Sequence, residues 1–222
     1  MSVYTTVESS QLEQFLLRYE IGKLRDLEPI AAGITNTNYY LDTEHGRFVL
    51  TLYEHHKASE LDYMLGLQQH LAGKSVRCAE PVKDRFDQFY SSLNQRPAAI
   101  IRRIAGEVAT TPDILNCASI GAELARFHLA GGDYTGRRNN PRGVEWILTA
   151  LETLKPRLAE KDFQSVSATL DSCRDFQLDR LPCGAIHADL FHDNALFLNG
   201  ELGGILDFDY ACNDNFVFDI AV

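Results

Sequence analysis

The sequence predicts an α+β fold in two lobes, a β-rich N-terminal half followed by a mostly helical C-terminal half. Three observations carry that expectation. Between Leu27 and Ile104, short apolar runs of strand character alternate with turn residues, and only Ala58–Ala72 reads as a helix. Beyond Thr111 the apolar spacing becomes helical, with Ile120, Leu124, Phe127 and His128 on one face. Further on, Asn199-Gly200 separates two short apolar runs, Ala195–Leu198 and Leu202–Leu206, which is a strong short hairpin signal. The change of pattern falls at Arg103–Glu107, with Gly106 as a pliable point. The expected lobes are therefore residues 1–105 and 106–222.

Element by element, Ser10-x-x-Glu13 forms a capping box ahead of Leu12, Phe15, Leu16 and Tyr19, so a short amphipathic helix opens the chain. Leu27–Ile30 and Tyr39–Leu41 read as strands flanking the small polar loop Gly33-Ile-Thr-Asn-Thr-Asn38. Such a loop can aim backbone N–H groups at phosphates, which makes Gly33, Thr35, Asn36 and Asn38 candidate nucleotide contacts; most loops of this kind are plain turns. Arg47–Tyr53 pairs with Tyr39–Leu41. Ala58–Ala72 is helical, with Leu61, Met64, Leu65 and Leu71 inward, acids Glu60 and Asp62 in its first turn, and Gly73 as its stop. Gln88–Leu93 and Ala98–Ile104 form a second strand pair. Thr111-Pro112 begins a long helix with proline in its first turn, ended by Gly131-Gly132. A lone His128 on an apolar face reads as a buried structural histidine. The basic loop Gly136–Gly143 precedes a helix at Val144–Leu154 with Trp146 facing inward, and another helix lies within Arg157–Leu178. The apolar run Phe216–Val222 wants burial and carries no stop signal, so the helical lobe is expected to continue past it.

Composition narrows the function classes. The 222 residues include 45% apolar side chains, enough for a substantial core, and carry 21 Lys plus Arg against 31 Asp plus Glu, a net charge of −10. An acidic chain of this kind is not built for nucleic acid or anionic membranes, which need basic patches. Five scattered cysteines without a C-x-x-C spacing point to reduced thiols and a cytoplasmic protein, and no apolar run is long enough to span a bilayer.

The chemistry concentrates in Ala185–Tyr210. Here His187, Asp189, His192, Asp193, Asn194, Asp207 and Asp209 crowd around the expected hairpin, which would bring Asn194 and Asp207 together at its open end. The spacing H-x-D-x-x-x-x-N followed by a strand-end Asp is a phosphoryl-transfer layout. In that layout Asp189 takes the proton of an attacking hydroxyl, while Asn194 and Asp207 offer oxygen ligands to Mg²⁺ on the phosphates of ATP. His192 and Asp193 face solvent or brace the loop.

These motifs, Ile186-His187-Ala-Asp189 to Asn194 and Ile205-Leu-Asp207-Phe-Asp209-Tyr-Ala, resemble the aminoglycoside phosphotransferase and choline kinase superfamily. Phe48-Val-Leu-Thr-Leu52 and Asn140-Pro-Arg-Gly-Val-Glu-Trp146 resemble its bacterial homoserine kinase branch, and the likeness covers nearly the whole chain. The resemblance implies a protein-kinase-like fold, ATP and Mg²⁺, phosphorylation of the hydroxyl of a small amino acid, L-homoserine, as a step toward threonine, and a chain that runs on past residue 222. It also implies that His187 shapes the catalytic loop and that Asp219 supports it. An amino-acid substrate asks for both charges at its pocket, which selects Arg142 for the carboxylate and Asp209 for the amine. The bland alternatives are a solvated loop arginine and a strand-end cap.

One departure stands out. Relatives place a lysine, paired with a helix glutamate, on the strand covering the phosphates, and Thr51 occupies that position here. Lys57, Arg102 and Arg103 are the alternative cations. Three rival functions stay open at this level. One is a kinase of another alcohol such as an aminoglycoside, choline or methylthioribose. Another is a metallohydrolase using His187, Asp189, His192 and Asp193, and the third is a nucleotide-binding module without catalysis.

Overall fold

The computed structural model describes residues 4–31, 35–174 and 180–222. Helix α1 (Ser9–Leu16) precedes β1 (Leu24–Pro29), β2 (Thr37–Thr43) and β3 (Gly46–Leu52), and α2 (Ala58–Gly73) follows. Strands β4 (Pro81–Val82), β5 (Tyr90–Leu93) and β6 (Arg96–Arg102) complete an antiparallel sheet of order β1-β2-β3-β6-β4, with β5 also paired to β6. Next come β7 (Glu107–Val108) and the helices α3 (Ile114–Ala130), α4 (Val144–Leu154) and α5 (Glu160–Arg174). Strands β8 (Cys183–Ile186), β9 (Ala195–Leu198), β10 (Glu201–Ile205) and β11 (Cys212–Asn215) lead to α6 (Phe216–Ala221). Small sheets β10-β9-β7 and β11-β8 carry the loops between them.

Two-residue alternation decides how the large sheet is covered. Phe48, Leu50 and Leu52 on β3, with Ala98 and Ile100 on β6, pack against Leu12, Phe15 and Leu16 of α1. Ala99, one residue out of phase, joins a second core with Leu61, Met64, Leu65, Leu67 and Leu71 of α2. That second core also takes in Phe127 of α3, Ala185 of β8, and Ile205, Phe208 and Ala211 around the acidic motif. Helix α2 is thus shared between the sheet and the helical half. The chain after α2 continues the connection, since Ile205 N donates to Arg77 O (2.8 Å) and Ala79 N to Ile205 O (3.0 Å).

The expected hairpin forms, with Asn199 and Gly200 both left-handed (φ 53° and 83°) as a two-residue turn of this type requires. Several expectations need correction. The first helix is capped by Glu8, whose N–H donates to Gln11 Oε1 (3.0 Å), and not by Ser10 with Glu13. The long helix starts after Asp113, whose carboxylate accepts from Asn116 N (2.8 Å); Pro112 lies before the cap. Gly73 is still helical, and Lys74 is the cap. Trp146 does not face inward and is 46% exposed. Strands β1 and β2 run further than their apolar residues suggested, because their ends are set by pairing from Leu24↔Thr43 to Pro29↔Tyr39.

Phe127 is fully buried, stacks on Phe208 (centroids 5.7 Å apart) and lies 6.3 Å from the ring of His187. Phe127→Ala is expected to cost about 3–5 kcal/mol of unfolding free energy, read from the urea midpoint.

Candidate active site

Strand β8 delivers the loop that begins at His187. This imidazole is fully buried, and both of its nitrogens are engaged: Nε2 lies 2.8 Å from Leu206 O, and Nδ1 accepts from Asp189 N (3.3 Å). These partners require a neutral ring protonated on Nε2. Burial holds its pKa below the ordinary value, against the opposing pull of the Leu206 carbonyl, Asp219 and Asp207. With both nitrogens used, His187 has no lone pair for a metal, and among the described residues no group of three His, Cys, Asp or Glu side chains is arranged to hold one. The metallohydrolase reading loses its first ligand.

The backbone then turns sharply. Ala188 is left-handed (φ 64°), a conformation costly for a residue with a Cβ. Asp219 of α6 holds it there, its buried carboxylate accepting from Ala188 N (2.6 Å) and His187 N (3.0 Å). Nε2 of His128, on α3, contacts the same carboxylate at 2.7 Å, and the His128 ring stacks on Phe216 at 4.2 Å. His128 is therefore one of the groups satisfying a buried acid.

Asp189 is half-buried on the far side of this turn. Burial, then the charges of Asp207 and Asp193, raise its pKa above the usual carboxylate range, with Asn194 and Arg142 pulling the other way. Asn194 is oriented by its own Nδ2, which donates to Asp189 O (2.7 Å) and approaches Asp189 Oδ2 (3.4 Å), leaving Oδ1 as an acceptor. Its main-chain oxygen accepts from Leu206 N (2.8 Å), so Asn194 and the residue before Asp207 face each other across the open end of the hairpin. Asp207 is exposed and left-handed (φ 56°), and its Oδ1 accepts from Asp209 N (3.2 Å). Next to it Phe208 is locked against Phe127 and the His187 ring (5.0 Å). Two carboxylates and an amide oxygen gathered here form an all-oxygen donor set suited to a hard divalent cation.

Asp209 lies deeper than the sequence suggested. Its buried Oδ2 accepts from Asn36 Nδ2 (2.7 Å), with His56 Nε2 3.8 Å away. Burial and the neighbouring Asp207 push its pKa up to about 7, against the Asn36 hydrogen bond. The polar loop is thereby brought over the acidic turn. Of that loop's other candidates, Thr35 is half-buried, Asn38 Oδ1 accepts from Thr51 Oγ1 (2.8 Å), and Gly33 lies outside the described residues. Among the substitute cations, Lys57 is exposed, Arg102 pairs with Glu80 (3.1 Å), and Arg103 lies over the Tyr40 ring (3.9 Å).

Arg142 is held by groups that its spacing did not reveal. Its Nη2 donates to Tyr210 Oη (3.0 Å), and its guanidinium lies over Trp146 (4.4 Å) and Tyr210 (5.1 Å). The residues missed at sequence level are Tyr210, Trp146 as a stacking partner, His56 and Arg138. The basic composition of residues 136–143 was the only hint of Arg138.

A phosphotransferase is the class of protein that this fold and loop define, and the chain belongs to the phosphotransferase enzyme family, which it matches over residues 26–222. Its curated relatives narrow the branch to the homoserine kinases. The chain is 44% identical over all its 222 residues to the homoserine kinase of Methylobacillus flagellatus, of which it covers 70%. It is 40% identical to that of Neisseria meningitidis serogroup B, of which it covers 73%. Among solved structures, the amicoumacin kinase hAmiN bound to AMP-PNP and Ca²⁺ superposes with a TM-score of 0.75 at 20% identity, over 97% of this chain and 68% of that one. Spectinomycin phosphotransferase with ADP and spectinomycin gives 0.71 at 14% identity, over 97% and 73%. The protein-kinase-like two-lobed fold expected from the sequence is the one observed. No helix of the described residues is long and apolar enough to cross a membrane.

Asp219→Ala leaves the buried N–H of His187 and the half-buried N–H of Ala188 without their acceptor. It is expected to cost about 2 kcal/mol or more of stability and to speed amide hydrogen exchange at residues 187 and 188, measured by mass spectrometry.

Proposed function

We propose that this chain catalyses transfer of the γ-phosphoryl group of ATP to the hydroxyl of L-homoserine, yielding O-phosphohomoserine and ADP with Mg²⁺ as the divalent cation. The observation that carries the reading is the grouping of Asp189, Asn194 and Asp207 at the open end of the β9–β10 hairpin. It is joined by the homoserine kinase names of relatives aligned over the whole chain.

In this reading Asp189 accepts the proton of the substrate hydroxyl as its oxygen attacks the γ-phosphorus, and the bond to the β,γ-bridging oxygen breaks to release ADP. Asn194 Oδ1 and the Asp207 carboxylate would hold Mg²⁺, which supplies neutralisation of charge on the phosphate oxygens. The Asn194 amide, by donating to Asp189 O, keeps base and ligand in fixed register. His187 and Asp219 hold the loop's shape. Backbone N–H groups of the loop at Thr35, Asn36 and Asn38 would contact the phosphates. The boundary between lobes falls at 105/106, with nucleotide in the cleft between them.

Arg142 is assigned to the substrate carboxylate. Its guanidinium is already held by Tyr210 and the face of Trp146, which lowers the ordering cost of binding, and its charge favours the ionised form of Asp189. Asp209, enclosed and bonded to Asn36, is reassigned from the substrate amine to holding the polar loop over the Asp207 turn.

Incubation with MgATP and a panel of alcohols, followed by coupled ADP release, is expected to give turnover with L-homoserine far above that with choline, methylthioribose or aminoglycosides. Preference for one of the others would overturn the substrate while keeping the reaction class, and ATP binding without turnover on any alcohol would favour the non-catalytic module. Asp189→Asn is expected to lower kcat by roughly 10²–10⁴-fold with ATP affinity retained. Because a base works deprotonated and the Asp189 pKa is raised, wild-type activity is present above that pKa and lost as pH falls through it. The acid limb of kcat/KM should therefore lie above the ~4 typical of a free carboxylate and should vanish in the variant.

A further inference from the structure

Thr51 stands on β3 where the family resemblance leads one to expect a lysine. The lysine expected there from the family resemblance would neutralise phosphate and tie the strand to a glutamate on the following helix. Thr51 Oγ1 instead spends its hydrogen on Asn38 Oδ1 (2.8 Å). A glutamate does stand in the first turn of α2, Glu60, and its cation is an arginine from elsewhere in the chain. Arg138 reaches it from the loop before α4, Nη2 to Glu60 Oε1 at 2.8 Å, with its side chain 10% exposed. The same arginine donates through Nη1 to two main-chain oxygens of the acidic motif, Asp209 O (2.7 Å) and Ala211 O (2.9 Å). Its backbone is fixed as well: Arg138 N donates to Asn213 Oδ1 (3.0 Å), and Asn213 N donates to Arg138 O (2.8 Å). Burial opposes the charge on Glu60, but the Lys57 N–H and Arg138 outweigh it and hold the carboxyl below its usual pKa.

We propose that Arg138 is a positioning residue that takes over the helix-glutamate half of the missing lysine's work, clamping α2 to the Asp207–Ala211 segment and so fixing the Asp207 carboxylate for the metal–nucleotide complex. The argument rests on geometry. A guanidinium that donates to one carboxylate and two carbonyls on separate elements is a tie between those elements. Those bonds point it at protein acceptors, away from a role as phosphate ligand. The segment it grips includes the left-handed Asp207, whose own Oδ1 is bonded to Asp209 N, so displacement of Asp209 is transmitted directly to the metal-ligand side chain. Lysine cannot replace this fork, since one ammonium does not reproduce the planar arrangement that serves three acceptors from two nitrogens. The phosphate-neutralising half of the lysine's work is left to the divalent cation, which makes correct placement of Asp207 more important here than in relatives with a lysine.

This inference rests on the reading of Asp207 as a metal ligand, and the experiment separates the two. Glu60→Gln, Arg138→Lys, the Glu60→Gln/Arg138→Lys double variant and Asp207→Ala are compared by Mg²⁺ titration of fluorescent ADP-analogue binding, by the KM for MgATP, and by hydrogen exchange over α2. Glu60→Gln keeps the shape of a partly exposed side chain and serves as the informative variant if those at Arg138 fail to fold. The expected result is a rise of roughly 3- to 30-fold in the Mg²⁺ concentration needed for half-maximal nucleotide binding, a similar rise in KM for MgATP, and kcat at saturation changed much less. Faster exchange in α2, no rescue by lysine, and a double variant no worse than Arg138→Lys complete it. A folded Glu60→Gln with wild-type Mg²⁺ dependence, while Asp207→Ala shows a steeply raised one, overturns the clamp and leaves the metal assignment standing. Wild-type Mg²⁺ dependence in Asp207→Ala overturns the assignment and the clamp with it.

Discussion

A single buried carboxylate organises the reactive loop. Asp219 has no exposed side-chain surface, and taking a carboxylate out of water is costly unless its lone pairs find donors. The donors come from two consecutive backbone N–H groups after β8 and one imidazole on α3. Helix α6, strand β8 and helix α3 must therefore meet at one point before the acid is satisfied. The left-handed turn at Ala188 is a by-product of serving both amides from one side chain. The hydrogen bonds to Asp219 offset both the strain in the loop and the burial of the acid, and Asp189 is presented from the turn that results.

Around that anchor, the apolar and polar layers cooperate. Phe208 lies between two acids, yet it belongs to the core, stacked with Phe127 and edge-on to His187. Its burial forces its neighbours Asp207 and Asp209 to emerge on either side, one exposed and one enclosed. Asp207 raises the cost of ionising both Asp189 and Asp209. Such a cluster is electrostatically unfavourable by itself, and on the proposed reading the bound cation relieves it, which couples the site's stability to its ligand.

Much of this was legible in the sequence because it is local. The Asn-Gly turn, the helical spacing of α2 and α3, and the H-x-D-x-x-x-x-N run each encode their geometry within about ten residues. Helix α4 falls at Val144–Leu154, where its spacing placed it. What was not legible depends on distant partners. Asn36 meets Asp209 across 173 residues and Arg138 meets Glu60 across 78, and no local pattern announces either pair. Trp146 was misplaced because periodicity treats an indole as core, whereas here its face is used by a guanidinium. Cap positions slipped because several residues near a helix start can serve, and the one chosen depends on where the preceding chain enters. Strands β1 and β2 outran their apolar residues because backbone pairing, which ignores side-chain polarity, sets their length.

The paired glycines of β10 have a mechanical consequence. A Cβ on Gly203 would lie 2.6 Å from Ala105 O, and one on Gly204 would lie 2.7 Å from Ile104 Cδ1. The crossing segment from sheet to helices thus rests directly on the strand that ends at the acidic turn, through the Ala105 carbonyl and the Ile104 side chain, with no room for a Cβ on the strand itself. Gly106, left-handed at φ 131° and equally tight against Phe197 O, extends the same contact to β9. Any rotation of the sheet about this crossing would turn the hairpin with it, because the joint has no slack to absorb the motion. Displacement of residues 104–106 and displacement of the acidic turn are therefore coupled through that contact.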